Sequence, residues 1–404
     1  MDRILEQIKH GITPDGYRNT EAGVLPSAWE CAKISEIFDP ITQVAGADQY
    51  ETVSISAGIG FVNQAEKFGK ELSGKQYEKY TVLHKGDFSY NKGNSGKYPQ
   101  GCIYRLKDRE TAAVPNVFES FRIKSGCPDY YDQLFTSGYL NHQLYRLINH
   151  GVRDDGLLNL TQEDFYSCTL PVPPVSEQEK IAEILSTQDH MIELCEKRVE
   201  QLKMLKKEFL QKMFPKPGAA VPEWRFPGFT DAWEQRKLYD VADFNPKSEL
   251  PDTFEYVDLE SVVGTEMISH RTETRDTAPS RAQRLAQMGD VFFQTVRPYQ
   301  RNNYLFVKPD NNYVFSTGYA QMRPKIDAEF LMCFLQTDSF VKVVLDNCTG
   351  TSYPAINSND LSNLEIALPV SEDEQRKVGS FITNLDNLIT LHQRKCDEEK
   401  QKKK

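Results

Sequence analysis

The apolar positions between Pro173 and Phe214 follow a helical period rather than the alternation of a strand. They are separated by alternating steps of three and four residues, which places them on one face of an α-helix as the a and d positions of a coiled-coil seam. Two polar members, Gln188 and Lys206, either fix the register or lie at solvated ends. The pattern predicts one long helix that packs against a partner helix. Its seam consists of Leu185, Gln188, Ile192, Cys195, Val199, Leu202, Lys206, Phe209 and Met213.

A second segment of the same kind closes the chain, from Leu368 to Lys404. Its seam fades into the charged sequence DEEKQKKK after Ile382, Leu385, Ile389 and His392. We expect the two helices to pack against each other, antiparallel and related by a pseudo-two-fold axis. A helix of about 37 residues is about 55 Å long and would act as a spacer. Residues that recur 197 positions later are Glu177 and Glu374, Gln178 and Gln375, Ile181 and Val378, Leu185 and Ile382, and Ile192 and Ile389.

The repeat extends upstream of the helices. The chain has three tryptophans, and two of them, Trp29 and Trp233, lie in the phrase A-W-E-x-x-K-(I/L), 204 positions apart. Each phrase is followed by a strand-like alternating run and then by a Gly-Asp turn, at Gly86-Asp87 and Gly289-Asp290, that enters an aromatic, β-prone run. Matches in one order at slowly drifting offsets indicate an internal duplication. We expect both tryptophans to be packing anchors at the entrance of each copy.

These patterns predict an α+β protein with two globular domains, related by a pseudo-two-fold axis and separated by two long antiparallel helices that form a coiled-coil-like spacer. An N-terminal helical stub over 1–19, with Ile4, Leu5 and Ile8 at helical spacing, would complete the distal part of the spacer and make the repeat circular. The other predicted boundaries are a first domain over 20–172, a central helical region over 173–215, a second domain over 216–370 and a C-terminal helical region over 371–404.

Composition narrows the possible functions. The chain has 404 residues, a net charge of −10 and no run of about 18 apolar residues, which argues against a membrane span and against DNA binding driven by total charge. The N-terminus lacks a signal-peptide core, and the eight cysteines and seven histidines show no metal-ligand spacing. Phosphate-binding loops, nucleophile elbows and the N-P-P-[YF] motif of adenine methyltransferases are absent from the sequence. We therefore expect a cytoplasmic binding or scaffolding protein that is not an enzyme and holds neither metal nor cofactor.

The order of these motifs resembles the specificity (S) subunit of type I restriction-modification enzymes. The resemblance covers essentially the whole chain and is most specific in the helix that begins PP-x-x-EQ-x-K-I and in the linker RFPGFTDAWE, from Arg225 to Glu234. It implies a subunit in which each domain recognises one half of a bipartite, asymmetric sequence in double-stranded DNA. It also implies two modification subunits, which hold S-adenosylmethionine and methylate adenine, and restriction subunits, which use ATP and Mg²⁺ to cut DNA.

Recognition residues vary within that family, so the candidate DNA contacts come from this sequence alone. The loops that follow the two Gly-Asp strands combine cations, which suit phosphates, with amides and arginines that can pair with base edges. An ordinary polar surface loop is the alternative at each position. Arg281 and Arg284 are candidate phosphate contacts, and Ser352 and Tyr353 mark a third loop. The loop candidates are Lys92, Asn94, Lys97 and Tyr98 in the first domain, and Arg297, Tyr299, Gln300, Arg301 and Asn302 in the second.

The resemblance also makes the two helices the docking surface for the modification subunits. Three alternatives stay open: a modification system of the same architecture without a cognate nuclease, a coiled-coil adaptor whose globular ends bind proteins, and a lone nuclease. The residues expected to form the spacer and the docking surface are Glu177, Gln178, Ile181, Leu185, Ile192, Val199, Leu202, Glu374, Gln375, Val378, Ile382 and Ile389.

Overall fold

The computed structural model describes residues 2–69, 74–93, 96–148, 157–350 and 352–403. The chain forms two compact units, unit 1 (Met1–Ile192 with Glu399–Lys404) and unit 2 (Glu193–Glu398). The division falls inside two helices, and the domain boundaries given above stay predictions. Within the described ranges, no helix combines the length and the apolar character needed to cross a membrane.

Unit 1 consists of short strands and helices that lead into one long helix. Its strands are β1 (Tyr17–Thr20), β2 (Gly23–Pro26), β3 (Glu30–Lys33), β4 (Phe38–Pro40), β5 (Val53–Ser56), β6 (Gly60–Asn63), β7 (Thr81–His84), β8 (Phe88–Asn91), β9 (Cys102–Arg105), β10 (Thr111–Val114), β11 (Glu119–Ile123) and β12 (Thr169–Val172). Its helices are α1 (Asp2–Lys9), α2 (Ile34–Ile37), α3 (Gln64–Phe68), α4 (Pro128–Thr136), α5 (Asn141–Leu147), α6 (Gln162–Ser167) and α7 (Val175–Lys212). Helix α7 continues into unit 2.

An antiparallel sheet in the order β4-β11-β8-β9 holds the main core of unit 1. Its aromatic side chains meet α4 on one face. The rings of Phe38, Phe88, Phe121 and Phe135 lie 5.1–5.8 Å apart between centroids, the separation at which aromatic pairs attract one another beyond simple burial. The β5-β6 hairpin and the antiparallel pair β7-β10 form a smaller layer with its own buried cluster.

Unit 2 contains the second set of elements. Its strands are β13 (Glu234–Lys237), β14 (Ala242–Phe244), β15 (Thr253–Val257), β16 (Val262–Val263), β17 (Glu266–Met267), β18 (Arg271–Thr274), β19 (Ala282–Leu285), β20 (Val291–Gln294), β21 (Tyr304–Leu305), β22 (Tyr313–Ser316), β23 (Tyr319–Pro324) and β24 (Glu365–Leu368). Its helices are α8 (Leu238–Val241), α9 (Ala328–Leu335), α10 (Asp338–Asp346), α11 (Ser358–Ser362) and α12 (Glu372–Lys403).

Unit 2 repeats the topology of unit 1. Its sheet β14-β23-β20-β21 has the strand order of β4-β11-β8-β9, and β13 pairs with β24 as β3 pairs with β12. A further sheet, β18-β15-β22-β19, contains one parallel pair, β15 and β22. In unit 1 a single parallel bridge, Thr52 to Ala113, joins the corresponding strands. The α+β class and the internal duplication predicted from the sequence are confirmed.

The Gly-Asp turns lie where the sequence places them. Gly86 and Gly289 have φ of +97° and +89°, a conformation that costs little only without a Cβ. Asp87 and Asp290 then accept a hydrogen bond from the backbone N–H three residues earlier, at 2.7 Å and 2.8 Å. Each turn therefore opens β8 or β20 with a buried carboxylate.

The seam of α7 is confirmed as its less exposed face, since every seam position is buried or half-buried. In unit 2, Phe209 of α7 packs edge-on against Phe381 of α12, with centroids 4.8 Å apart. Three residues earlier on α7, Lys206 Nζ lies 2.6 Å from Asp386 Oδ1. Because these contacts advance along α7 while they retreat along α12, the helices are antiparallel within unit 2, as predicted.

The seam of α12 does not fade after His392, contrary to the expectation from the sequence. Cys396 is fully buried and Glu399 is 6 % exposed. Within unit 1, Gln188 Nε2 donates to Glu399 Oε2 at 2.6 Å and to its carbonyl oxygen at 3.1 Å. The expectation was wrong because Glu399 occupies a seam position and is buried with hydrogen bonds from Gln188 and Lys402, which the charged composition of the tail concealed.

Candidate nucleic-acid interface

In both units a buried carboxylate fixes the strand that leads into the predicted contact loop. Asp87 is 2 % exposed and accepts hydrogen bonds from Nε and Nη2 of Arg122 on β11, both at 2.6 Å. Asp290 is fully buried and accepts the same pair from Arg323 on β23, both at 2.9 Å. These hydrogen bonds raise the pKa of both arginines, which are cationic at any physiological pH. The two loops therefore leave from fixed strand ends.

The loop after β20 has a constrained backbone. Arg297 and Arg301 have φ of +55° and +56°, a region that costs a residue with a side chain about 1–3 kcal/mol. They flank a 3-10 turn over Pro298–Gln300. Hydrogen bonds from Arg297 N to Pro354 O (2.8 Å) and from Arg301 N to Pro298 O (3.1 Å) hold this conformation. Backbone strain that is fixed by its surroundings in this way is concentrated at functional loops.

This loop and the loop around Tyr353 together form an open cleft of about 470 Å³. The guanidinium carbon of Arg297 lies 4.5 Å from the centroid of the Tyr353 ring, a cation–π contact that orients the arginine. Gln294, Gln300 and Asn302 line the same cleft. Its other wall is an earlier turn that contributes apolar residues and the exposed carboxylate of Glu260. The structure thus unites residues that the sequence places in two separate loops.

The polar side chains of the cleft differ in whether hydrogen bonds within the protein hold them in place. Gln300 Oε1 accepts a hydrogen bond from Gln294 Nε2 at 2.9 Å, and Asn302 Oδ1 accepts one from a backbone N–H at 2.8 Å. Within the described residues, the guanidinium of Arg297 and the hydroxyl of Tyr353 have no hydrogen-bond partner. Arg297 can therefore present its edge for a bidentate contact with a base or a phosphate. Tyr353, which is 64 % exposed, presents its ring.

Arg301 is bonded to the helices of unit 2. Its Nη1 donates to Gln336 O at 3.0 Å and its Nη2 donates to Asp338 Oδ1 at 2.6 Å. The hydrogen bond from Arg301 lowers the pKa of Asp338, which also accepts from Gln211 Nε2 of α7 at 3.2 Å. Arg301 therefore anchors the loop, while Tyr299, in the middle of the 3-10 turn, is half exposed.

The two candidate phosphate contacts lie at β19. Arg281 is exposed just before the strand, and Arg284 is half-buried within it. Burial lowers the pKa of Arg284, and its Nε is buried without a hydrogen-bond partner among the described residues. Because this Nε is shielded from solvent, it offers no contact to an external phosphate, and the assignment of Arg284 to phosphate stays a prediction. Ser352 is exposed beside Tyr353.

The corresponding loop of unit 1 is arranged differently. Lys92 Nζ lies 3.4 Å from a backbone carbonyl and 3.8 Å from Glu119 Oε2, with 16 % of its side chain exposed. Lys97 is exposed, and its ammonium lies 5.9 Å from the ring centroid of the half-buried Tyr98. Asn94 lies outside the described residues. Lys97 and Tyr98 are therefore better placed than Lys92 for an external contact, and the assignment of this loop to DNA stays a prediction.

The glutamine of each Glu-Gln pair is buried at the start of a long helix. Gln178 is 1 % exposed; it accepts from the backbone N–H that precedes α4 (2.9 Å) and donates to Pro173 O (2.8 Å). Gln375 is 3 % exposed and makes the same contacts with the N–H that precedes α9 (3.3 Å) and with Pro369 O (2.9 Å). The repeated E-Q motif therefore connects each helix to its own unit.

The other residues predicted for the spacer follow the packed faces of the helices. The most buried are Val199, Leu202, Val378 and Ile382. Half-buried are Ile181, Leu185, Ile192 and Ile389. Packing within the chain accounts for these faces, and the docking of another subunit on them stays a prediction.

The sequence offers Asn303 as a polar contact of this loop and does not indicate its structural role: it is 1 % exposed and accepts a hydrogen bond from Gln294 N at 2.9 Å through its Oδ1. A buried asparagine that shapes a loop has no distinctive sequence signal, since the residue before it is also an asparagine and is only half-buried. Among the residues that the structure describes, no three His, Cys, Asp or Glu side chains are arranged to hold a metal ion.

Comparisons with known proteins identify the family to which the chain belongs. The model of the type I restriction modification DNA specificity domain matches the chain twice, over residues 26–204 and 230–399. A putative type I restriction enzyme MjaX specificity subunit of Methanocaldococcus jannaschii is 22 % identical over 435 residues, which cover 96 % of this chain and 94 % of that protein. The type I restriction enzyme MjaVIII specificity subunit of the same organism is 26 % identical over 269 residues, 62 % of this chain and 63 % of the relative.

Solved structures share the fold. The type I restriction-modification system S subunit from M. genitalium matches with a TM-score of 0.59 and 16 % identity over 93 % of this chain and 94 % of that one. A chain from a structure on complex assembly and conformational transition of the type I R-M system matches with a TM-score of 0.53 and 18 % identity over 94 % and 96 %. The two family matches span most of the sequence, and the chain therefore belongs to the type I restriction modification DNA specificity family, with two copies of the specificity domain.

Proposed function

We propose that each domain recognises one part of a split DNA sequence and that the two parts differ. The observation that carries the proposal is that the two domains share the same strand arrangement but present loops with different side chains. Asp87 and Asp290 fix equivalent strands in the same way. The loop after β8, however, offers Lys97 and Tyr98, whereas the loop after β20 offers Arg297 over an aromatic ring. Two different reading surfaces on one chain select a bipartite, asymmetric target.

In the second domain, the Arg297–Tyr353 cleft is the proposed site of base reading. A guanidinium edge matches O6 and N7 of guanine, and the amides of Gln300 and Asn302 suit N6 and N7 of adenine. Arg281 and Arg284 lie on another strand, β19 and its approach, and contact phosphates in this proposal. Such contacts position a protein on the duplex without reading the sequence directly. Exposed Tyr299 and Ser352 complete the surface.

In this proposal the chain is the non-catalytic part of a larger cytoplasmic assembly. The two long helices set the length of the unread gap and dock two modification subunits, which bind S-adenosylmethionine and methylate adenine. Restriction subunits that use ATP and Mg²⁺ join this core to cut DNA. The names of the relatives as specificity subunits of type I restriction enzymes support this division of roles.

The test is the methylation pattern produced by the chain together with its modification subunits. Single-molecule sequencing of DNA from cells that contain both should give one motif with two specified, unlike parts and a gap of constant length. A palindromic motif, or methylation without sequence preference, overturns the proposal. The same motif in cells without any restriction activity identifies a modification system that lacks a nuclease and leaves the recognition proposal standing.

A complex that binds no DNA but captures other proteins at its globular ends supports the adaptor alternative. Footprinting of the purified complex on DNA that carries the motif separates these outcomes. Protection of both parts of the motif is expected, and protection of neither is the contrary result.

A further inference from the structure

Unit 2 contains a second polar cleft, of about 240 Å³, between α7 and the anchor of the recognition loop. Four cations and one carboxylate line it, in a chain whose net charge is −10. The charged lining residues are Lys203, Lys206, Lys207, Arg301 and Asp338.

Two of the four cations are neutralised within unit 2. Lys206 lies 2.6 Å from Asp386 Oδ1, and Arg301 lies 2.6 Å from Asp338 Oδ1. Lys203 and Lys207 are exposed, and no described carboxylate forms an ion pair with either of them. They are four residues apart, so both ammonium groups project from the same face of α7.

The ion pair and the lysine spacing in the sequence recur in the second helix. In unit 1, Lys403 forms an ion pair with Asp189. Lys403 stands 197 positions after Lys206, and Asp189 stands 197 positions before Asp386, so this pair is the counterpart of the pair between Lys206 and Asp386. At the same offset, Lys203 and Lys207 correspond to Lys400 and Lys404, the second of which lies outside the described residues. The K-x-x-K-K spacing is therefore a repeated feature beside a repeated ion pair.

We propose that Lys203 and Lys207 contact phosphates of the DNA that the second domain reads. The inference rests on the proposed function, because it needs DNA at the loop that Arg301 anchors. Arg301 belongs both to this cleft and to the loop that carries Arg297, so the two exposed lysines lie next to the proposed reading surface. Asp338 attracts Lys207 electrostatically, but that carboxylate is already paired with Arg301. Lysine on a flexible stem suits a phosphate as a point charge and reads no base. Helix α7 is thus a DNA-contacting element in addition to a spacer.

The experiment uses the double variant Lys203→Gln/Lys207→Gln in complex with the modification subunits. The matched control is Lys197→Gln, an exposed lysine of the same helix that is paired with Glu193 at 2.6 Å. DNA affinity is measured by fluorescence anisotropy between 50 and 200 mM salt. One duplex contains the sequence motif that the complex methylates, and the other duplex lacks it. The methylation motif of each variant is sequenced in parallel.

Two lost phosphate contacts should reduce the magnitude of the slope of log K against log salt by about 1.8, at about 0.9 for each phosphate. Affinity should fall by the same factor for both duplexes, with the motif and the control variant unchanged. An unchanged slope in the double variant, while the wild-type complex still binds its motif, overturns this inference alone. An altered motif overturns it in favour of base reading, and loss of the modification subunits in mass photometry overturns it in favour of protein docking. Failure of the wild-type complex to prefer any sequence instead overturns the proposed function.

Discussion

The indole N–H of Trp233 donates a hydrogen bond to Glu374 Oε1 at 3.3 Å, across 141 residues of chain. In unit 1, Trp29 makes the equivalent contact with Glu177 Oε2 at 3.1 Å. The two motifs that recur in the sequence, A-W-E and E-Q, are therefore the two ends of one interaction that joins each domain to its long helix. Trp233 is 4 % exposed, and its ring centroid lies 5.6 Å from that of Phe330, which confirms it as a packing anchor.

We predict that Arg225→Ala destabilises unit 2. Glu374 is 1 % exposed and accepts hydrogen bonds from Nε and Nη2 of Arg225 at 2.7 Å and 2.8 Å. Removal of the guanidinium leaves a buried carboxylate without its cation, which costs about 3–5 kcal/mol. The free energy of unfolding measured in urea should fall by this amount.

The first repeat supplies the control for this variant. Glu21 stands 204 positions before Arg225, and the carboxylate of Glu177 is only half-buried. We expect Glu177→Gln to cost about 1 kcal/mol, the value of an ordinary hydrogen bond. Equal losses in the two variants would contradict a special role for Arg225.

The polar layer between Gln188 and Glu399 should show energetic coupling. The buried Glu399 carboxylate accepts from Gln188 Nε2 at 2.6 Å and from Lys402 Nζ at 2.7 Å. Gln188→Leu removes the first of these donors, so we expect a loss of about 1–3 kcal/mol. Gln188→Leu/Glu399→Leu removes both polar groups and should recover most of that loss. A double-mutant cycle in urea should therefore give a coupling energy of about 0.5–3 kcal/mol. Strictly additive losses would show that the two side chains do not depend on each other.

Local sequence patterns predicted the long helices and the Gly-Asp turns because each of these elements depends on residues that are close together in the sequence. The a/d spacing of α7 and the left-handed Gly86 and Gly289 are legible within a few residues. The cleft is not legible in this way, because Arg297 and Tyr353 meet only through tertiary packing. Likewise, nothing local distinguishes Arg301, which is tied to α10, from Arg297, which is not. Composition also misled at the C-terminus, where a charged tail continues the seam.

The buried carboxylates Asp87 and Asp290, behind the two predicted contact loops, should be more sensitive to neutralisation than surface carboxylates. Asp290 accepts hydrogen bonds from Arg323, from Gln321 Nε2 at 2.7 Å and from a backbone N–H. In Asp290→Asn one acceptor oxygen becomes a donor that faces other donors, and each charged hydrogen bond lost costs about 1.5–3 kcal/mol. The control is Asp243→Asn, whose carboxylate forms an exposed ion pair with Lys325 and should change the unfolding free energy by about 0–1 kcal/mol. Similar values for the two variants, measured in urea, would refute the structural role of Asp290.

Arg297 and Arg301 lie in one loop, but we expect Arg297 to read a base and Arg301 to position the loop. Arg297→Ala removes an edge that can pair with a base, so discrimination at one position of one half-site should fall by about 1–3 kcal/mol. Arg301→Ala releases the loop from Asp338 and should weaken binding to every base of that half-site together. Asp338→Asn should reproduce the effect of Arg301→Ala, since it breaks the same ion pair, and the other half-site should be unaffected by all three variants. The measurement is the affinity of the complex with modification subunits for duplexes that carry single-base changes. If Arg301→Ala altered the preference at a single position while Asp338→Asn had no effect, Arg301 would be a base-reading residue rather than an anchor.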